Sequence, residues 1–159
     1  MNVLQEKFNK EIAKSLQEEL KIKNLHATPM LKKIVINMGV KDALSDKKNI
    51  EKAAEVLALI AGQKPRIMKA KKSIAAFKLR EGDEIGLITT LRGKRMYDFY
   101  QKLTTIVFPR FRDFHGVKKE SFDGKGNYTL GFPESTFFSE IDPSRFDKIQ
   151  GLEISIATT

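Results

Sequence analysis

The sequence predicts a single α+β domain in which a largely antiparallel sheet has helices packed on one face. Three observations lead to this prediction. Segments with strand character and segments with helical character interleave irregularly, instead of alternating in regular pairs. The chain has 159 residues, which is enough for one compact domain with its own core. No internal repeat, low-complexity tract or interdomain linker divides residues 1–159.

Three segments have the apolar spacing of helices. In residues 3–20, apolar side chains recur at every fourth position and predict an amphipathic surface helix; they are Leu4, Phe8, Ile12, Leu16 and Leu20. Ser45 and Asp46 can cap a second helix, for which Gly62 is the expected C-terminal stop. Residues 94–108 form the third helix, with one apolar face, and Pro109 ends it.

Strand character is strongest in residues 30–39, where β-branched residues lie at the centre. Alternation places Ile34, Ile36 and Met38 on an apolar face, and it places Asn37 on a mixed face with Val35 and Lys33. Further strands are expected at residues 85–91, 128–131 and 152–157. Residues 64–82 are expected to contain two strands joined by a long mobile loop.

The composition excludes several function classes. The chain has no cysteine, so disulfides, thiolate zinc sites and cysteine nucleophiles are impossible. It has no apolar run long enough for a membrane span and no recognisable leader, so we expect a cytoplasmic protein without a membrane partner. Its two histidines, His26 and His115, are far apart, and no catalytic or phosphate-loop motif is present. We therefore expect no enzyme activity, no metal and no cofactor.

The charge of the chain indicates a polyanionic partner. Lys and Arg number 29 against 20 acids, which gives a formal charge of +9 and a pI near 9.7. Such an excess is typical of nucleic-acid-binding proteins, although solubility alone is the simpler alternative.

The positive charge is clustered, and its longest run lies between residues 64 and 80. No acid interrupts this run, which contains Lys64, Arg66, Lys69, Lys71, Lys72, Lys78 and Arg80. A run of this kind is either solvated or neutralised by phosphates, and its purely basic character favours contact with an RNA backbone. Arg110, Arg112 and His115 form another basic group, interleaved with phenylalanines. Those aromatic side chains can stack on unpaired bases or form a small satellite core, and both interpretations remain open.

Several motifs occur in an order that resembles a known family. They are INMGV (36–40), IAGQKP (60–65), AKKSIAAFKLREG (70–82), TLRG (90–93), RMYDF (95–99), RDFHGV (112–117), SFDGKGNYTLG (121–131) and FSEID (138–142). On these motifs the chain resembles the bacterial ribosomal protein L5 family, the 5S rRNA-binding proteins of the large subunit. The resemblance runs from the first predicted strand nearly to the last residue.

The resemblance implies a structural protein of the central protuberance, with a sheet face and long loops that contact RNA. It implies 5S rRNA contacts at Asn37, Gln63, Lys64, Thr90 and Arg92. The loop of residues 70–82 resembles the family's loop that reaches P-site tRNA, which implies tRNA contacts at Lys69, Lys71, Lys72, Ser73, Lys78 and Arg80. The phenylalanine-rich last third resembles the part that meets small-subunit ribosomal protein thirteen in an intersubunit bridge, with Arg110, Arg112 and His115 as the expected contacts. Neighbouring large-subunit rRNA and proteins are further expected partners.

In one respect the chain departs from the family pattern. Members usually continue past the last strand into a further helix, whereas this sequence ends at Thr159. Two other function classes remain as alternatives. One is a protein-interaction or chaperone-like module whose charge serves solubility, and the other is an RNA-modifying enzyme, which the missing base and cofactor loop disfavour.

Overall fold

The computed structural model describes residues 3–111, 116–142 and 150–159. It contains a five-stranded antiparallel sheet with the strand order β2-β3-β1-β5-β4. The strands are β1 (Leu31–Gly39), β2 (Arg66–Lys69), β3 (Glu84–Leu91), β4 (Tyr128–Phe132) and β5 (Leu152–Thr158). Each lies within about two residues of a predicted strand position, and the predicted α+β fold is confirmed.

The helices are interrupted by π-helical turns. Segments α1 (Val3–Lys7) and α2 (Ala13–Glu19) flank a π-helical turn at Phe8–Ile12. Helix α3 (Lys48–Ala61) is regular and ends at Gly62, which has a φ of 63°. Segments α4 (Gly93–Lys102) and α5 (Phe108–Arg110) flank a second π-helical turn at Leu103–Val107.

Contacts along the chain define two compact units. The first contains the described residues of 1–34, 91–129 and 155–159, and the second contains those of 35–90 and 130–154. The assignment of residues 1–159 to a single domain stays a prediction.

The core of the second unit comes from one stripe of α3 and one face of the strands. Ile36 and Met38 in β1 and Leu87 in β3 are fully buried, as are Leu57 and Ile60 in α3. Between them in β1, Val35 is half-buried and Asn37 is exposed. The predicted alternation of an apolar and a mixed face in β1 is therefore confirmed.

The core of the first unit is built mainly from α4 and the π-helical turn that follows it. Met96, Phe99, Leu103 and Val107 are buried there. Ile106 was predicted to share this apolar face, but it is 42% exposed, whereas the neighbouring Val107 is fully buried.

The apolar stripe predicted for the N-terminal helix is wrong in part. Leu4, Phe8 and Leu16 are half-buried, but Ile12 and Leu20 are exposed, and the buried residue of this helix is Ala13. A π-helical turn uses one more residue per hydrogen-bonded ring than an α-helix does. The turn at Phe8–Ile12 therefore moves the inward position from Ile12 to Ala13, so that a strict four-residue spacing no longer follows one face.

Two further expectations need correction. The third helix passes through Pro109 and ends at Arg110, because the proline lies in the first turn of α5, directly after the π-helical turn. Residues 64–82 contain one strand, β2, and not two. The partner of β2 is β3, and the two strands pair in antiparallel orientation.

Two absences concern only residues 3–111, 116–142 and 150–159. No helix among them is both long and apolar enough to cross a membrane. No three His, Asp or Glu side chains in these ranges come together in a group that could hold a metal ion.

Candidate nucleic-acid interface

The side of the sheet opposite the core forms an open face in the second unit. We define this open face by Val35, Asn37, Arg66, Met68, Ile88 and Thr90. Thr90 lies between the buried residues Thr89 and Leu91, so alternation places its side chain on the open face. Arg66 pairs with Ile88 and Met68 with Gly86 across the β2–β3 ladder, which places Arg66 and Met68 on the same face. Polar, cationic and apolar side chains thus share one accessible surface.

Gln63 is held against the end of β3. The left-handed conformation of Gly62 ends α3 and turns the chain towards β2. The Gln63 side-chain Nε2 then donates a hydrogen bond to the backbone oxygen of Thr90 at 3.3 Å. This contact fixes a half-buried amide side chain beside the open face.

The structure brings four of the five predicted 5S rRNA contacts into one unit. Asn37, Gln63, Lys64 and Thr90 belong to the second unit, where Asn37 and Lys64 are exposed and the other two are half-buried. Arg92 belongs to the first unit, in which it immediately precedes α4 and is exposed.

Residues 70–83, here called the cationic loop, connect β2 to β3 and are hydrogen-bonded at several levels. At the base, the Ala70 N–H donates to the oxygen of Asp83 at 2.8 Å, and the Gly82 N–H donates to the oxygen of Ala70 at 3.0 Å. Further out, Ile74 and Leu79 form an antiparallel bridge around a 3₁₀ turn at Ala75–Phe77. The loop therefore has a defined backbone conformation without being part of the sheet.

The predicted tRNA contacts differ in their surroundings. Lys71, Lys72, Lys78 and Arg80 are exposed. Lys69 lies at the end of β2, with its Nζ 3.8 Å from a carboxylate oxygen of Glu84. Such an exposed pair contributes little to stability, so Lys69 remains accessible to a stronger anion.

Ser73 has a different role in the loop from the four cations. Its Oγ accepts a hydrogen bond from the backbone N–H of Glu81 at 2.9 Å. The hydroxyl thereby connects the two arms of the loop, and only its proton is left to bind a ligand.

The tip of the cationic loop is apolar. Phe77 is 67% exposed and Ile74 is 43% exposed, in a segment whose flanking positions carry lysines. An exposed phenylalanine beside cations can stack on a base or on a ribose while the lysines neutralise phosphates. This arrangement suits a folded RNA better than bulk water.

Of the residues predicted for an intersubunit bridge, only Arg110 is described. It is exposed at the end of α5. Arg112 and His115 lie outside the described residues.

A turn in the first unit contains two predicted glycines with positive φ, Gly124 at 77° and Gly126 at 84°. The Asp123 carboxylate accepts hydrogen bonds from the Asn127 side chain at 2.6 Å and from the Lys125 N–H at 2.8 Å. These donors, the side chain first, hold the pKa of Asp123 below its ordinary value. Asn127 in turn accepts a hydrogen bond from the Thr158 N–H at 3.0 Å, so the turn is attached to β5.

Sequence reasoning missed two residues of this surface. Arg66 was counted among the clustered cations but was not assigned to the open face, because that assignment depends on the β2–β3 register. Asp83 was interpreted as a solvated acid, yet its Oδ2 accepts a hydrogen bond from the Arg80 N–H at 2.8 Å and shapes the cationic loop. Its position three residues after Arg80 is compatible with such a turn contact, but does not establish it.

Family models match almost the whole chain. A model described as Ribosomal protein L5 matches residues 24–80, and a model described as the ribosomal L5 family C-terminus matches residues 84–159.

Curated relatives match over nearly the same range. The chain is 58% identical over 158 residues to the large ribosomal subunit protein uL5 of Streptococcus sanguinis, a match that covers 99% of this chain and 88% of the relative. It is 56% identical, with the same coverage, to the proteins of that name from Streptococcus agalactiae and Streptococcus mutans.

Proposed function

This chain belongs to the ribosomal protein L5 family, and from that premise we propose that it binds 5S rRNA through the open face of its sheet. It is a structural, non-enzymatic constituent of the cytoplasmic large ribosomal subunit. The proposed contacts are Asn37, Gln63, Lys64, Thr90 and Arg92, and binding at these positions helps to attach 5S rRNA in the central protuberance.

The observation that carries this proposal is the composition of the open face. Asn37 is exposed in the middle of β1, although the same strand buries Ile36 and Met38 completely on its other side. Short amide and hydroxyl side chains on an exposed sheet can bond ribose 2′-hydroxyls and phosphates. Arg66 and Lys64 supply positive charge beside them, so that affinity and register can come from the same surface.

The cationic loop is the proposed contact for P-site tRNA, through Lys69, Lys71, Lys72, Ser73, Lys78 and Arg80. Two features of the loop support this role. Its backbone is preorganised by the Ile74–Leu79 bridge and by the hydrogen bond to Ser73, which lowers the entropy lost on binding. Its exposed apolar tip can follow the shape of a folded RNA, whereas its cations neutralise the phosphates.

The remaining partners are proposed on the family resemblance. Arg110, Arg112 and His115 are the proposed contribution to an intersubunit bridge with small-subunit ribosomal protein thirteen. Neighbouring large-subunit rRNA and proteins complete the proposed set of partners.

Filter binding of 5S rRNA tests the principal proposal. We expect Asn37→Ala to weaken binding by roughly tenfold, which corresponds to about 1.4 kcal/mol, without changing thermal stability, because the side chain is exposed. Asn9→Ala is the matched control, since Asn9 is also exposed but lies in the N-terminal π-helical turn. Equal affinity of the wild-type chain for 5S rRNA and for unrelated RNA hairpins would reject specific recognition.

A further inference from the structure

A cavity of about 430 Å³ lies in the second unit, between the segment that leads into α3 and the base of the cationic loop. Ser45 and Lys47 line one side, and Lys78, Arg80, Asp83 and Glu84 line the other. Buried Ile50 contributes an apolar wall. The volume lies within the range of about 300–1,000 Å³ that is typical of pockets for small ligands, so a nucleotide-sized group can enter.

The two carboxylates in this cavity already have partners. The Asp83 Oδ2 accepts a hydrogen bond from the Arg80 backbone N–H at 2.8 Å, and the Glu84 Oε1 lies 3.8 Å from the Lys69 Nζ. In contrast, the charged groups of Lys47, Lys78 and Arg80 form no ion pair with any acid in the described ranges. Three cations without a counter-charge in one cavity repel each other, and an anion between them would remove that repulsion.

The backbone of Lys78 supplies an independent indication. Its φ is 52°, in the left-handed region that residues other than glycine, asparagine and aspartate seldom adopt. Glycine would take this conformation without steric conflict. Strained residues of this kind concentrate at ligand-binding sites, and a lysine here places a cation on the cavity wall at a conformational cost.

We propose that this cavity binds a single phosphodiester group of an RNA strand. Lys47, Lys78 and Arg80 neutralise it, with Arg80 able to donate to two of its oxygens, and the Ser45 hydroxyl donates a further hydrogen bond. A polymeric phosphate can engage this cavity and the exposed lysines of the cationic loop together, which a free anion cannot. The inference rests on the proposed RNA-binding function, and it adds Ser45 and Lys47 to the residues that contact RNA.

Acylation of lysines, quantified by mass spectrometry, tests this inference on unmodified protein. Lys47 and Lys48 form a matched pair, because both are exposed in the free chain and adjacent, but only Lys47 lines the cavity. We expect Lys47 to react at least fivefold more slowly in large subunits than in the free chain, and to lose more reactivity than Lys48. Protection without tRNA assigns the phosphate to rRNA, and protection only with P-site tRNA assigns it to tRNA.

Two outcomes would overturn the inference. The first is an unchanged Lys47 reactivity in particles both with and without tRNA. The second is protection that survives digestion of the particles with RNase, which would point to a protein neighbour. Failure of the broader proposal would appear separately, as loss of specific 5S rRNA binding by the wild-type chain, so the two can be distinguished.

Discussion

Thr89 and Thr90 are neighbours in β3 with opposite surroundings. Thr89 is 2% exposed, and its hydroxyl has no hydrogen-bond partner in the part of the chain that the structure describes. Thr90 lies on the open face beside Gln63. An unpartnered buried hydroxyl lowers stability, whereas a hydroxyl on the open face is available to RNA.

Replacing each threonine by valine should therefore have opposite effects. We expect Thr89→Val to stabilise the protein by about 1 kcal/mol, or roughly 2–4 °C in Tm, and to leave 5S rRNA affinity unchanged. We expect Thr90→Val to leave Tm unchanged and to weaken 5S rRNA binding by roughly two- to tenfold. Thermal denaturation and filter binding on both variants check this, and a loss of affinity in Thr89→Val alone would contradict the assignment of faces.

Asp123 makes the turn of residues 123–127 sensitive to acid. Hydrogen bonds from Asn127 and Lys125 lower its pKa below the ordinary value of 3.8. A carboxylate with a lowered pKa in the folded state stabilises the fold above its unfolded pKa, and this contribution is lost as the pH falls through the folded pKa. We expect the amide shifts of Lys125 and Asn127 to titrate together with a midpoint below pH 3.8 in NMR spectra. Asp123→Asn should abolish that titration, and a midpoint above 3.8 would be inconsistent with the hydrogen bonds described.

At the scale of elements, the cationic loop and the sheet are expected to serve different RNAs. Changing Lys71, Lys72, Lys78 and Arg80 together to Ala should spare 5S rRNA binding and reduce P-site tRNA retention on assembled ribosomes. Removing four phosphate-neutralising charges weakens an RNA contact strongly, whereas the open face is left intact. Loss of 5S binding with unchanged tRNA retention would reverse the assignment of the loop.

The control for this experiment removes the same charge from another element. Lys7, Lys10, Lys14 and Lys23 are all exposed in or just after the N-terminal helix, so their change to Ala lowers the net charge equally. If this control reduced tRNA retention as much as the loop variant does, general electrostatics would explain the result and the loop would have no special role.

The elements also show how far sequence patterns reach. Alternation in β1 predicted that Ile36 would be buried and Asn37 exposed, because successive side chains in a strand must point to opposite faces. Helical spacing failed at Ile12, because a single π-helical turn changes the phase of the stripe and leaves no clear mark in composition. The same limit applies to Ile106 beside the second π-helical turn.

At the scale of the whole molecule, the charge of +9 predicts opposite effects of salt on the free and the bound protein. Raising ionic strength from about 0.01 M to about 0.15 M shortens the Debye length from about 30 Å to about 8 Å. Self-repulsion in the free chain is then screened, and we expect its Tm to rise. The complex with 5S rRNA should instead lose stability, because log K falls by about 0.7–0.9 per phosphate contact for each unit of log salt.

Differential scanning calorimetry over that salt range measures both trends. Heat-denatured 5S rRNA added at the same concentration serves as the control for nonspecific polyanion effects. A Tm of the complex that did not fall with salt would contradict a mainly electrostatic contribution from phosphate contacts.

The sequence by itself determined the fold class, the strand positions and the family. Each of these depends on local periodicity or on ordered motifs that can be identified along the chain, such as the alternation around Asn37 and the uninterrupted cations of residues 64–80. Only the tertiary structure decided that Arg66 shares a face with Thr90, that Asp83 and Ser73 shape the cationic loop, and that Lys47 meets Lys78 and Arg80 in one cavity. These relations join residues that are distant along the chain, and strand register and loop hydrogen bonding, which local patterns do not specify, bring them together.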